Sequence, residues 1–223
     1  MTDSPRILPA GDSAVLVEFG EVIDPVVNSR VYALFDAVEK SLGDKVVEMI
    51  PTYRSLLVVY NPVEVTFGEI SDQVGGLLDG IQGDSETSAT REIIELPVVY
   101  GGEDGPDLEH VAEHAGISAQ EVIDIHSGTG YLVYMLGFAP GFPYLGGLDE
   151  RIACPRLTTP RVKVPAGSVG IAESQTGVYP NESPGGWQLI GRTAVPLFDV
   201  QRENPSLIKP GAEVRFVPVD SHD

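Results

Sequence analysis

Residues 137–148 read GFAPGFPYLGGL. Four of the twelve are glycine and two are proline, with Phe138, Phe142, Tyr144 and Leu145 between them. Neither a helix nor a long regular strand fits that spacing, because proline removes a backbone donor and glycine adds conformational freedom. Four large apolar side chains on such a backbone make a rigid turn, which either plugs a core or walls a site. The glycines permit sharp turns and the prolines limit their freedom, so the rings have fixed places to pack. Phe138 and Phe142 are read as anchored in a barrel core, and Tyr144, with its polar tip, as part of a pocket wall.

The chain around this stretch is β-rich. From Gly130 onward no segment keeps a 3.6-residue period, and eleven of the eighteen prolines lie beyond position 137. Short apolar runs (YLVYMLGF, SVGIAES, WQLIGRT, AVPLFDV, AEVRFVPV) alternate with turns, which predicts an all-β barrel or sandwich. Two short helices precede it, over 107–115 and 119–127, the second announced by the Ser118/Glu121 capping box.

The first 90 residues have a different texture. Residues 13–19 (SAVLVEF) read as a strand. Asp24 is an N-cap and Pro25 an N1 residue for a helix carrying Val27, Val31, Leu34, Phe35, Val38 and Leu42, closed by Gly43. Strands at 46–50 and 55–60 follow, then a Thr66/Glu69 capping box with Ile70, Val74, Leu77, Leu78 and Ile81 at helical spacing. Residues 82–90 read as a polar loop and 91–100 as a strand. The order is β-α-β-β-α-β, a ferredoxin-like split arrangement. The expected division is a small α/β domain over 1–90 and a β-barrel domain over 91–223.

The formal net charge of −19 argues against nucleic acid and anionic membranes as partners. No apolar run is long enough for a bilayer, the N-terminus does not read as a secretory signal, and the single Cys154 excludes an internal disulfide or a cysteine zinc site. A cytoplasmic location is expected. Against the acidic background, Arg151, Arg156, Arg161 and Lys163 fall within thirteen positions that contain no acid. They either balance neighbours such as Asp149 and Glu150 or form a surface for carboxylate or phosphate.

Other motifs carry less. His110-Val-Ala-Glu-His114 has the H-x-x-E-H spacing, but its short helix suggests no third ligand, so no metal site is assigned. His126 ends the second helix, where a cation complements the dipole; its nearness to the glycine-rich turn makes it a pocket-wall candidate. There is no P-loop, no G-x-G-x-x-G opening a helix and no G-x-S-x-G turn. In SPGGWQLIGRT (183–193), Gly185 and Gly186 could let backbone N–H groups approach a ligand, with Trp187 as a stacking face and Arg192 as a charge.

GFAPGFPYLGGLD, then PR…PR-x-K-VPAGSVGIA, Q-T-G-x-YP and SPGGWQLIGRT, with GDSAVLVEFG near the start, together resemble the KipI family. Its members are labelled as the B subunit of 5-oxoprolinase, as allophanate hydrolase subunit 1 or as carboxyltransferase subdomain C. The resemblance implies an α/β N-terminal domain before a cyclophilin-like β-barrel. It also implies a subunit 2 partner of the KipA type, related to the C subunit of 5-oxoprolinase. A third subunit would complete an ATP-dependent 5-oxoprolinase that opens the lactam of 5-oxoproline to glutamate. Such a chain would be inactive alone. ATP and Mg²⁺ are expected for the complex, although no motif here binds either. Arg156, Arg161, Lys163 and Arg192 match basic positions of the motif string and are the anion-binding candidates. His126, Tyr144, Gln175, Tyr179, Gly185, Gly186 and Trp187 are the pocket or interface candidates, and no catalytic residue is assigned. The alternatives are an allophanate hydrolase or urea carboxylase-related subunit 1, and a non-catalytic KipI-type inhibitor of a sensor histidine kinase.

Overall fold

The computed structural model describes residues 4–81 and 92–222. The loop expected at 82–90 and the first residue of the strand expected at 91–100 lie outside them. The chain divides into two compact units, Met1–Thr90 and Arg91–Asp223.

In the first unit β1 (Arg6–Pro9), β2 (Ala14–Glu18), β3 (Val46–Pro51) and β4 (Ser55–Tyr60) form one antiparallel sheet in the order β1-β2-β4-β3. Helix α1 (Pro25–Leu42) starts where Asp24 accepts from the backbone N–H groups of Val26 and Val27, at 2.8 and 3.2 Å. Helix α2 (Phe67–Leu78) starts at the Thr66/Glu69 capping box. Val15, Val17, Leu56 and Val58 alternate onto the sheet face that packs against Val31, Leu34 and Val38 of α1 and Ile70 and Val74 of α2.

The element order is therefore ββαββα, not the expected βαββαβ. The outer place beside β2 belongs to Arg6–Pro9, in register from Arg6↔Glu18 to Pro9↔Val15, and strand 93–100 belongs to the second unit. A four-residue strand ending in proline gave no readable alternation. It wins the edge because a tight hairpin costs far less closure entropy than recruiting a strand across two helices. Arg6 and Glu18 pair across the hairpin at 2.8 Å.

The second unit is a closed barrel of seven strands: β5 (Ile93–Tyr100), β6 (Gly130–Leu136), β7 (Pro143–Gly146), β9 (Ser168–Ala172), β10 (Gln175–Val178), β12 (Gln188–Arg192) and β13 (Glu213–Pro218). Round the barrel the order is β10-β7-β6-β13-β5-β12-β9, and only β13 and β5 run parallel. The lumen is packed with Leu96, Val98, Tyr131, Val133, Leu145, Val169, Ile171, Val178, Ile190, Val214 and Phe216. Helices α3 (Leu108–Ala115) and α4 (Ala119–Ser127) add Val111, Ala112 and Val122 to the same core. A ribbon of β8 (Arg161–Val164) and β11 (Ser183–Gly185) pairs outside the barrel.

His126 corrects the sequence reading. It is neither a capping cation nor a pocket wall but is fully buried, stacked on Phe216 at 4.6 Å. Its Nδ1 lies 2.7 Å from the Tyr100 hydroxyl and its Nε2 2.9 Å from Thr176 Oγ1. Thr176 spends its proton on the carbonyl of Gly170, so Nε2–H donates to Thr176 and Nδ1 accepts from Tyr100. Burial pushes the imidazole pKa down to about 3. The unfolded chain takes up this proton near pH 6.5, so the contribution to stability is complete above that value and is lost as pH falls toward about 3. Unfolding free energies from urea titration should therefore fall more steeply between pH 7 and 4.5 in wild type than in His126→Gln, by roughly 1 kcal/mol per pH unit at the steepest. Equal slopes would contradict a neutral buried imidazole.

Candidate functional site

The pleat sorts the barrel wall. Leu145, Val169, Ile171, Val178 and Ile190 face inward, and the aromatic group Phe142, Tyr179 and Trp187, with Val164, Ala172 and Leu189, packs as a separate cluster on the outer side. Phe142 is its hub. Its ring meets Tyr144 at 5.2 Å, Tyr179 at 5.4 Å and Trp187 at 5.6 Å, each edge to face. Two glycines make this packing possible. A Cβ on Gly177 would lie 3.0 Å from the Phe142 ring and 3.1 Å from the Trp187 ring, and one on Gly185 would lie 2.3 Å from the Tyr179 hydroxyl.

Phe142, Tyr179 and Trp187 are buried, and Tyr144 is partly exposed at their edge. Phe138 departs from the expected core position: it is 65% exposed and touches the group only through its ring against Phe142, at 5.5 Å. Two glycine-phenylalanine steps looked alike in sequence. They differ because Phe138 takes a left-handed backbone, φ 61°, that turns it out, while Phe142 follows Gly141 back to the barrel wall.

The four predicted cations fare differently. Arg161 Nη2 donates to Asp107 Oδ1 at 2.6 Å, and its Nη1 donates to the carbonyl of Trp187 at 3.3 Å. Lys163 pairs with Glu182 at 2.8 Å on the surface. Arg192 pairs with Asp104 at 3.4 Å, and His222 reaches the same carboxylate at 3.0 Å. Arg156 makes no ion pair among the described residues; its guanidinium lies over the Trp187 ring, 5.9 Å from the centroid.

The two tyrosines next to Arg156 remain phenols at neutral pH. Burial raises the pKa of Tyr144, and Arg156 opposes that only in part. Burial also raises Tyr179, against the hydrogen bond from the Trp187 backbone and the charges of Arg156 and Arg161. Arg156 and the rim phenol of Tyr144 are therefore donors suited to an anion beside an apolar platform. Gln175 opens β10 opposite Ala172 and so shares the outer face. Gly186 adjoins Pro160 and the Leu157 carbonyl, and its own carbonyl accepts from Leu157 N–H at 2.7 Å. His126 and Arg192 do not join this group.

Sequence reasoning missed Asp107. It is only the first residue of the helix expected over 107–115, and the structure places it just before α3. It makes no cap bond, and instead its Oδ2 accepts from Leu189 N–H at 2.6 Å while Oδ1 holds Arg161. It also missed an open groove of about 460 Å³ lined by His114, Glu150, Ala153, Cys154, Pro155, Glu173 and Ser174. Cys154 is buried there, and burial, then Asp107 and Glu173, push its thiol pKa up, so it is no ready thiolate. His110 and His114 are exposed on α3, and no three His, Cys, Asp or Glu among the described residues are placed to hold a metal.

The carboxyltransferase domain, subdomain C and D model matches residues 5–208. The chain is 45% identical to the B subunit of 5-oxoprolinase from Bacillus subtilis (strain 168), over 100% of this chain and 96% of that protein. It is 30% identical to urea amidolyase of Saccharomyces cerevisiae, over 99% of this chain but only 14% of that protein. Among solved structures, TTHA0988 superposes with a TM-score of 0.81 at 36% identity; the match covers 93% of this chain and 40% of TTHA0988. With a family match over most of its length and an end-to-end relative, the chain belongs to the carboxyltransferase domain, subdomain C and D family.

Proposed function

We propose that this chain is one part of a cytoplasmic, ATP-dependent 5-oxoprolinase, acting with a companion of the KipA type, related to that enzyme's C subunit, and with a third polypeptide. The observation that carries it is the 45% identity, along the whole chain, to a protein named as the B subunit of 5-oxoprolinase. We also read the closed barrel as the cyclophilin-like domain that the motif string implies. No helix among the described residues is long and apolar enough to cross a membrane.

The chemistry fits a part of a site rather than a whole one. A five-membered lactam resists water because its amide is resonance-stabilised, and phosphorylation of its carbonyl oxygen would produce an activated centre open to hydrolysis. Arg156 and Tyr144 would hold an anionic group of the substrate or the transferring phosphoryl, and the aromatic group would keep water from one side. No catalytic nucleophile is assigned here: Cys154, two positions from Arg156, is buried and its thiol pKa is raised by that burial. No three His, Cys, Asp or Glu among the described residues gather as a metal site; Mg²⁺-ATP is assigned to the complex, and no step is routed through this chain's own carboxylates.

The test mixes the purified chain with its companion and the third polypeptide and follows 5-oxoproline and ATP consumption together. No turnover with the complete set would refute the reading. The urea amidolyase relative favours a second reading, a component acting on allophanate or urea, which the same mixture tests by substrate exchange. Capture and inhibition of a sensor histidine kinase without turnover would point to the KipI-type regulator.

A further inference from the structure

We infer that Phe138 is the anchor by which this chain grips its companion, the ring entering an apolar pocket on that polypeptide. The inference rests on the multi-subunit reading above and assigns it a contact. Phe138 is the most exposed phenylalanine among the described residues, at 65%, and it adopts φ 61°. Only two non-glycine residues among those described are left-handed, and the other, Glu173, sits in the tight hairpin between β9 and β10. A left-handed backbone is costly for a bulky side chain, and here little burial of the ring offsets that cost. The arrangement holds an apolar ring out to solvent.

The loop is built to keep it there. Ala139 N–H bonds the Gly137 carbonyl at 2.6 Å, Phe142 N–H bonds the Ala139 carbonyl at 3.0 Å, and Gly137 N–H bonds the Phe142 carbonyl at 3.1 Å. Pro140 stiffens the turn, and the ring rests its edge on Phe142. An aromatic side chain on a pre-formed loop loses little entropy on docking and has the character of an interface hot spot.

The occupant follows from the comparison with TTHA0988. There a module aligned with 93% of this chain is only 40% of one polypeptide. The Bacillus subtilis relative is matched over 96% of its own length, so that protein does not carry the rest of TTHA0988 on the same polypeptide, and the occupant assigned here is the separate polypeptide that corresponds to it. Docking on Phe138 would bring that molecule against the Phe142 hub, where Tyr144 and Arg156 stand, and there it could supply the groups that this chain lacks.

The experiment uses the full chain and the protein, from the same genome, that matches the part of TTHA0988 outside the aligned module. Calorimetric titration compares wild type, Phe138→Asn and Phe138→Gly. Asparagine and glycine both accept the left-handed backbone, so each removes the ring without adding strain. The expected result is a Kd at least thirtyfold weaker for both variants, about 2 kcal/mol, with an unchanged or higher melting temperature. Equal affinity of wild type and variants overturns the anchor and leaves the multi-subunit reading standing. Failure of wild type to bind the companion removes both. A drop in melting temperature for both variants shows that the ring is packing and overturns the inference. So does self-association of wild type that the variants abolish, since the occupant would then be a second copy.

Discussion

Arg156→Ala should lower turnover of the assembled enzyme by roughly a hundredfold or more, the scale of losing a charge-stabilising donor, with the melting temperature unchanged within about 1 °C. Three of the four cations that the sequence offered are already neutralised by Asp107, Glu182 and Asp104. Arg156 is exposed, and nothing described opposes its charge in a chain of net charge −19. An anion seeking this surface meets repulsion elsewhere and a free guanidinium here. The Trp187 face beneath it orients the guanidinium plane, so Arg156→Lys should recover only part of the loss, keeping charge without the planar fork. The kinetic split identifies the role. A raised KM with kcat intact means that Arg156 holds a substrate carboxylate, and a lowered kcat means that it meets charge that develops on phosphoryl transfer. Full activity in Arg156→Ala would remove it from the site.

What could be read in advance divides by range. The caps at Asp24, Thr66 and Ser118 are local signals, written within four residues, and each of the three helices starts where they say. The β character beyond Gly130 was legible from its prolines and lost periodicity. Where strands pair was not, because register is settled by partners far away in sequence: strand 93–100 reads the same whether it joins the first sheet or, as it does, lies between β12 and β13. The ion pairs obey the same rule. Arg161 looked like a free cation because its carboxylate stands 54 positions earlier. His126 looked like a helix-end charge because only the folded barrel brings Tyr100 and Thr176 to its two nitrogens. Tyr144 was placed on the wall rather than in the plug because a phenol needs a polar outlet, and it is partly exposed.

Asp107→Ala should be among the most damaging changes to a polar side chain in the barrel unit. One carboxylate there joins three elements: it stands before α3, accepts from Leu189 of β12 and holds Arg161 of the outer ribbon. The side chains of Asp107 and Arg161 are only 12% and 29% exposed, so water replaces neither bond well. Truncation leaves a half-buried guanidinium without its anion and a buried N–H without its acceptor, a loss of about 3 kcal/mol. The melting temperature should fall by about 6–12 °C. Asp107→Asn should fall in between, since its carbonyl can still serve Leu189 while its NH₂ faces the donors of Arg161. The double change Asp107→Ala with Arg161→Met tests the origin of the loss. If the uncompensated charge dominates, an apolar partner of similar reach should make the double variant more stable than Asp107→Ala alone. Strict additivity in the urea-unfolding cycle would instead mean that the Leu189 bond carries the loss and that Arg161 is not coupled to Asp107. Because Arg161 also holds the Trp187 carbonyl, the coupled outcome carries a functional consequence: at temperatures where Asp107→Ala is still folded, the seat beneath Arg156 loosens and turnover falls further than the folded fraction accounts for.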